Sequence, residues 1–415
     1  MNPNPDIDFA AIIGVDWADK KHDICLFVSA DEALEYSVLP HTPEAIDAWV
    51  SELRQRFAGW PVALCLEQKK GALIYALMKY ASIHLAPINP QTLARYRRAF
   101  KSSHAKDDPT DAELLLDLYR KHHERLPAWA PDSPQLRALQ QLVEMRRTLI
   151  GDQVRLSNRI IAALKNYYPQ PLNWFKDKNT TVFCDFLLRW PSLRGLHRVR
   201  DNTLKAFFYQ YNVRYASVIQ RRIKAIRAAT PLTEDPGITE PSILQVSTLA
   251  RQLKTVLESL KQFEIEIESR FQAHQDAALF SSLPGAGRHL APRLLVAFGE
   301  DRSRYQNASQ MQQYTGIAPV TERSGQKRWV HWRYACPKFL RQTFVEWAGE
   351  SITFSYWAKQ FYLQQRDKGK THRVAVRALA FKRIRILYRC WQENTPCDEA
   401  RYLMILKEKG SPLLN

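Results

Sequence analysis

The chain places acidic residues where a strand-helix-strand arrangement can gather them: Asp16 in IIGVDWA, Glu67 in VALCLEQ, and Asp108 with Asp111 in KDDPTDA. Asp16 and Glu67 each close an apolar run that reads as a buried strand, so both carboxylates are expected at the same end of one sheet. Asp108 and Asp111 stand three apart at a helix start, and residues i and i+3 share a helix face. Acidic oxygens packed this closely repel one another unless cations lie between them, which points to one or two Mg²⁺ ions and to chemistry on phosphodiesters. A plainer reading fits the same residues: an Asp in a strand-ending turn, and Asp108-Pro109-Thr110-Asp111 as a helix start with Pro in its first turn. Their joint order favours the metal site.

Charge narrows the partners. The 415 residues have room for two or three domains and carry a formal net charge of +18, which calls for a polyanion: nucleic acid or an acidic membrane surface. Residues 1–64 hold 11 Asp and Glu against 4 Lys and Arg, a net of −7, leaving +25 on the other 351 residues. An acidic, metal-binding unit is thus followed by a chain built to hold phosphates. No stretch approaches the roughly 18 uncharged apolar residues a bilayer span needs, and the start MNPNPDID does not read as a signal peptide, so a cytoplasmic protein without membrane partners is expected. The six cysteines form no CxxC pair and read as reduced packing residues.

Strands are expected at 11–17, 22–29, 34–39, 62–67 and 83–88, and helices at 43–57, 70–81, 90–100 and 108–122, an order that predicts a mixed α/β sheet of the ribonuclease H type. After Pro127, Pro131 and Pro134 strand signals stop and helical patterns take over, predicting an all-α remainder. Val246, Leu249, Leu253, Val256, Leu260, Phe263 and Ile267 alternate steps of three and four, the spacing of a coiled-coil seam. That seam either joins subunits or pairs within the chain with the apolar positions of 136–164. Between these helices, residues 189–227 hold 10 Lys and Arg, Arg198, Arg200, Arg221 and Arg222 among them, against Asp201 alone. Trp190, Phe207, Phe208, Tyr209, Tyr211 and Tyr215 interleave with them, a combination suited to phosphates and unpaired bases of RNA. The alternative is a solvated helix whose aromatics form its core side.

Further on, Leu283-Pro284-Gly285-Ala286-Gly287 precedes a helix-like segment. Gly285 and Gly287 there would let backbone N–H groups approach phosphate, as in a helix-hairpin-helix contact. Residues 323–341 hold Arg323, Lys327, Arg328, Arg333, Lys338 and Arg341 with no acid, and Ser324-Gly325 sits among them. On its residues alone Ser324 reads as a loop serine or a phosphate hydrogen-bond donor.

Taken in order, GVDWA, LEQ, KDDPTDA, LPGAGRHLA and YTGIAPVTERSG closely resemble the insertion-sequence transposases of the IS-one-ten family, with which Piv-type DNA invertases and bridge-RNA-guided recombinases are grouped; the similarity runs from about residue 11 to 400. The resemblance implies a RuvC-like DEDD domain at 8–128 whose Asp16, Glu67, Asp108 and Asp111 bind Mg²⁺. It also implies a helical, coiled-coil domain at 129–277 and a serine transposase domain at 278–405 with Ser324 as nucleophile and Gly285, Gly287, Arg323, Lys327 and Arg328 at nucleic acid. The implied activity is that of a site-specific recombinase acting on donor and target DNA, guided by a bridge RNA. Dimers would synapse into tetramers in which the serine domain of one subunit meets the DEDD domain of another. Gln68-Lys69-Lys70-Gly71 departs from the family's Ala-Thr-Gly after the Glu, and Asp107 replaces its Thr. Two other classes remain: a RuvC-like nuclease that hydrolyses branched DNA with Ser324 incidental, and a non-catalytic nucleic-acid scaffold.

Overall fold

The computed structural model describes residues 9–68, 70–100, 108–126 and 129–411, with the backbone alone given for Asp108 and Pro109. The chain divides into two compact units, Met1–Pro131 and Asp132–Asn415.

In the first unit, short links join β1 (Ala11–Trp17), β2 (Lys21–Val28) and β3 (Ala33–Pro40), and links this short allow only antiparallel pairing. Helix α1 (Pro43–Arg56), capped by the Thr42 hydroxyl, carries the chain back to β4 (Val62–Leu66), and α2 (Ala72–Leu77) carries it to β5 (Ile83–Pro87). Both crossovers give parallel neighbours, so the sheet order is β3-β2-β1-β4-β5. Helices α3 (Pro90–Phe100) and α4 (Asp108–His122) follow. Ile13, Val15, Leu64 and Leu66 pack with Ile46, Val50, Leu73 and Ile74 of α1 and α2. Ala63 and Cys65, on the opposite face, pack with Leu93 of α3 and Leu115 and Leu118 of α4. The central strands are therefore buried on both sides, which is why β4 reads as an unbroken apolar run. The mixed sheet and its element order match the expectation closely; the helix expected at 70–81 contracts to α2.

The second unit is built on two long helices, α5 (Pro134–Tyr167) and α11 (Pro236–Gln272). They run antiparallel: Leu139 and Val143 near the start of α5 share a core with Ile267 and Phe271 at the end of α11. Ile160 and Leu164 share another with Val246, Leu249 and Leu253. The predicted seam is thus taken up within the chain by α5, the intrachain choice of the two that the spacing allowed. Helices α6 (Pro171–Trp174), α7 (Thr181–Arg189), α8 (Leu193–His197), α9 (Asp201–Gln210) and α10 (Ala216–Arg227) lie between them in sequence and complete the second of these cores. After α11 come α12 (Ala277–Ser281), α13 (Gly287–Phe298), α14 (Ala308–Tyr314), α15 (Lys338–Phe354), α16 (Tyr356–Asp367), α17 (His372–Gln392) and α18 (Glu399–Glu408). Trp347, Trp391, Phe298 and Phe344 form the centre of the core at that end.

One element departs from the all-helical expectation. Strands β6 (Val320–Ser324) and β7 (Lys327–His331) form a hairpin between α14 and α15. Every position in it except Val320 is exposed, so it shows no apolar alternation that a sequence reading could detect. Among the described residues no helix is long and apolar enough to cross a membrane.

Candidate active site

Register places the acidic residues of the first unit. In the parallel pair β1 and β4, Val15 lies beside Leu66, so Asp16 and Glu67, the next residues of each chain, leave the sheet at the same edge. Side chains alternate faces along a strand, so Gly14 and Asp16 share the face opposite Val15. Helix α4 lies against that face: a Cβ built on Gly14 would come within 1.9 Å of the Ala112 carbonyl oxygen. No side chain fits there, and Asp111, the residue before Ala112, is thereby held against β1.

Asp111 is 2 % exposed. Its Oδ2 pairs with Arg97 Nη2 of α3 at 2.6 Å, while its Oδ1 is buried with no hydrogen-bond partner among the described residues. Gln68 Oε1, next to Glu67, is a second buried acceptor without a partner among the described residues. Buried oxygens left unsatisfied by protein suit an oxygen-seeking cation, and each is of the donor type that a hard divalent metal takes. The side chain of Asp108 lies outside the described residues, as does all of Asp107. Among the described residues no three of His, Cys, Asp and Glu stand close enough to enclose an ion. Two charged neighbours were not anticipated from sequence. Arg97 supplies positive charge at Asp111, and Asp23 of β2 lies directly across from Asp16 at 9 % exposure. The Asp23 signal was present in KHDICLFV, where an acid interrupts an apolar strand.

Ser324 ends β6 in the second unit and pairs with Lys327 across the two-residue turn Gly325-Gln326. Gly325 has φ +57°, the left-handed backbone that such hairpin turns demand. Ser324, Lys327, Trp329, Glu322 and His331 fall on one face of the hairpin, Arg323 and Arg328 on the other. His331 Nε2 approaches Glu322 Oε2 at 3.3 Å, whereas the Ser324 hydroxyl has no partner among the described residues. An exposed hydroxyl of this kind, with Lys327 paired beside it, is open to a phosphate.

The remaining sequence candidates divide. Gly285 (φ +77°) packs against α15, where a Cβ would lie 2.7 Å from the Ser351 backbone nitrogen, so packing is what requires it. Gly287 (φ +51°) opens α13 with free space around it. Arg198, Arg200 and Arg221 are exposed. Arg222 instead lies over the rings of Phe175 and Phe208, each at 5.2 Å, as part of the core wall. Trp190, Phe207 and Phe208 are buried in that core, and the Tyr211 hydroxyl donates to Asp185. The basic-aromatic stretch therefore offers only Tyr209 and Tyr215, at 52 % and 77 % exposure, as free stacking faces. The expectation of six stacking aromatics fails because their spacing is also that of helix core positions.

Comparison with known proteins decides the family. Residues 13–169 match the DEDD transposase model of the IS110 type, and residues 277–363 match the transposase model of the IS116/IS110/IS902 family. The chain belongs to the IS110, or IS-one-ten, family of transposases. It is an enzyme, a DNA transposase. The putative transposase of the IS117 mini-circle from Streptomyces coelicolor is 26% identical over 404 residues, 94% of this chain and 95% of its own. An IS116 protein of 44.8 kDa from Streptomyces clavuligerus is 27% identical over 91% of this chain and 93% of its own. A pilin gene-inverting protein of Moraxella bovis is 30% identical over 129 residues, 30% of this transposase and 39% of its own length. The first family model spans Asp16, Glu67, Asp108 and Asp111, and the second spans Gly285 and Ser324.

Proposed function

We propose that this transposase is a site-specific recombinase that excises and inserts an insertion sequence, with Asp16, Glu67, Asp108 and Asp111 holding Mg²⁺ and Ser324 as nucleophile. The observation that carries the metal half is the buried, partnerless Asp111 Oδ1 on a helix pinned to β1 beside Asp16. Magnesium held by these oxygens would draw charge from the phosphoryl group under attack. The Ser324 hydroxyl gives up its proton as its oxygen forms the new bond to phosphorus, the P–O bond to one strand end breaks, and the departing oxygen takes up a proton in exchange. The resulting ester keeps the bond energy for rejoining, which hydrolysis would discard. Arg323, Lys327 and Arg328, exposed on the same hairpin, add positive potential where phosphoryl charge develops.

The same proposal extends to the rest of the assembly. The DEDD unit is of the RuvC-like type, and the domains are 8–128, 129–277 and 278–405. A non-coding bridge RNA guides the choice of donor and target DNA, and Tyr209 and Tyr215 with Arg198, Arg200 and Arg221 are the surface offered to it. Dimers pair into tetramers so that Ser324 of one subunit serves the carboxylates of another, in the cytoplasm at the nucleoid. Similarity to a pilin gene-inverting protein supports recombination over simple cutting.

Trapping the protein on a nicked donor duplex and locating the adduct by mass spectrometry tests the reading. The adduct should sit on Ser324 and vanish in both Ser324→Ala and Asp111→Asn. Wild-type cleavage by Ser324→Ala would replace recombination with a RuvC-like hydrolase.

A further inference from the structure

A cavity of about 520 Å³ opens beside α17 and α18, well along the chain from Ser324. Arg383 of α17 lines it and is 2 % exposed. Guanidinium stays protonated in proteins, so this is a buried full charge. Its Nε donates to Ser351 Oγ at 3.2 Å, and it lies over the rings of Trp347 and Trp357 at 5.7 and 5.2 Å. Among the described residues no carboxylate pairs with it, and its Nη2 is buried without an acceptor. Trp357 Nε1, on the wall of the same cavity, is a second buried donor with no acceptor.

The carboxylates lining the cavity stop short of an ion pair with Arg383, although the Glu399 charge acts on it through space. Glu399 accepts from Ser355 Oγ at 2.7 Å and from the Trp357 backbone N–H at 3.3 Å. Asp398 caps α18 by accepting from the Arg401 backbone N–H at 3.0 Å, and Glu393 pairs with Arg389 at 2.9 Å. Lys382, Arg385 and Arg401, exposed at the rim, have no ion pair among the described residues. A buried arginine with no carboxylate in direct contact is costly, and a second orphaned donor beside it asks for an acceptor of the same kind.

From this we infer that the cavity is an anion site for a phosphate group of a nucleic-acid strand, seated on Arg383 and Trp357 with Lys382, Arg385 and Arg401 around it. The planar guanidinium fork matches phosphate oxygens, the volume accommodates a nucleotide, and the cationic rim suits a chain of phosphates better than one carboxylate. This site neither uses Ser324 nor depends on the acidic edge.

Two measurements on the full chain decide it: thermal unfolding in inorganic phosphate against chloride at matched ionic strength, and anisotropy of a labelled single-stranded oligonucleotide across a KCl series. Phosphate should raise the wild-type melting temperature by several degrees. Arg383→Met, which removes the uncompensated charge while keeping the bulk, should melt at or above wild type in chloride and lose the phosphate shift. Arg401→Gln, at the exposed rim, should fold normally, shrink the phosphate shift and lower the salt slope of oligonucleotide binding by about one. A lost phosphate shift with an unchanged oligonucleotide slope would keep the anion site but assign it to a free phosphate compound. If phosphate leaves the wild type unmoved and neither variant alters the slope, the inference is wrong. Should Arg383→Met fail to fold, Arg401→Gln and Arg385→Gln decide by the same two readings.

Discussion

Gly14 sets the distance between the sheet and helix α4, and with it the position of Asp111. A methyl group there would lie 1.9 Å from the Ala112 carbonyl oxygen, far inside contact distance, and backbone on both sides leaves nothing to swing away. Gly14→Ala should therefore cost about 3 kcal/mol in urea unfolding and take metal-dependent cleavage with it. His22 gives the same unit a pH response. Its Nδ1 accepts from the Ala18 backbone N–H at 3.3 Å and its Nε2 meets His41 Nδ1 at 2.8 Å, an arrangement that uses the neutral ring. Burial first, and the neighbouring His41 second, bring its pKa down from 6.5 to about 4. The folded state thus binds the proton less tightly than the unfolded chain. The contribution is complete above pH 6.5 and is lost as pH falls from 6.5 toward 4. About 3 kcal/mol should disappear across that window, and His22→Gln should flatten the dependence.

At the scale of elements, the partner of the α11 seam is the point on which chemistry and mass separate. Leu253 is fully buried against the core shared with α5, so Leu253→Ala should cost about 3 kcal/mol while leaving the hydrodynamic mass of the folded protein unchanged. A fall in mass with unaltered stability would return the seam to a subunit interface. Periodicity showed that α11 has an apolar stripe, but a stripe does not name what covers it. The first unit was legible almost to the residue because β1, β4 and β5 are buried and bounded by caps and turns, such as Thr42 before α1. The β6 and β7 hairpin escaped because Thr321, Arg323, Arg328 and Val330 face solvent as fully as Ser324 and Trp329 do. The placement of Asp16 and Glu67 at one sheet edge and of Asp111 in α4 could be read from strand ends and helix spacing. Arg97 could not, since its meeting with Asp111 depends on how α3 packs against α4.

Across the whole molecule, the charge distribution predicts that holding nucleic acid and cutting it fall to different parts of the chain. The excess of positive charge lies after residue 64, at +25, while the first 64 residues carry −7 and include Asp16. Strand binding should then be governed by the basic majority through release of counterions, with little contribution from the acidic edge. If 6 or so phosphates are engaged, affinity should fall by about a thousandfold between roughly 50 and 200 mM salt. Asp111→Asn removes one negative charge from a buried position paired with Arg97 and leaves the exposed cations untouched. It should keep both the affinity and the salt slope of the parent while abolishing cleavage, and EDTA on the parent should reproduce that separation. A variant that loses binding together with cleavage, while circular dichroism shows it folded, would mean that the acidic edge itself holds the strand, and the division of labour written in the charge distribution would be wrong.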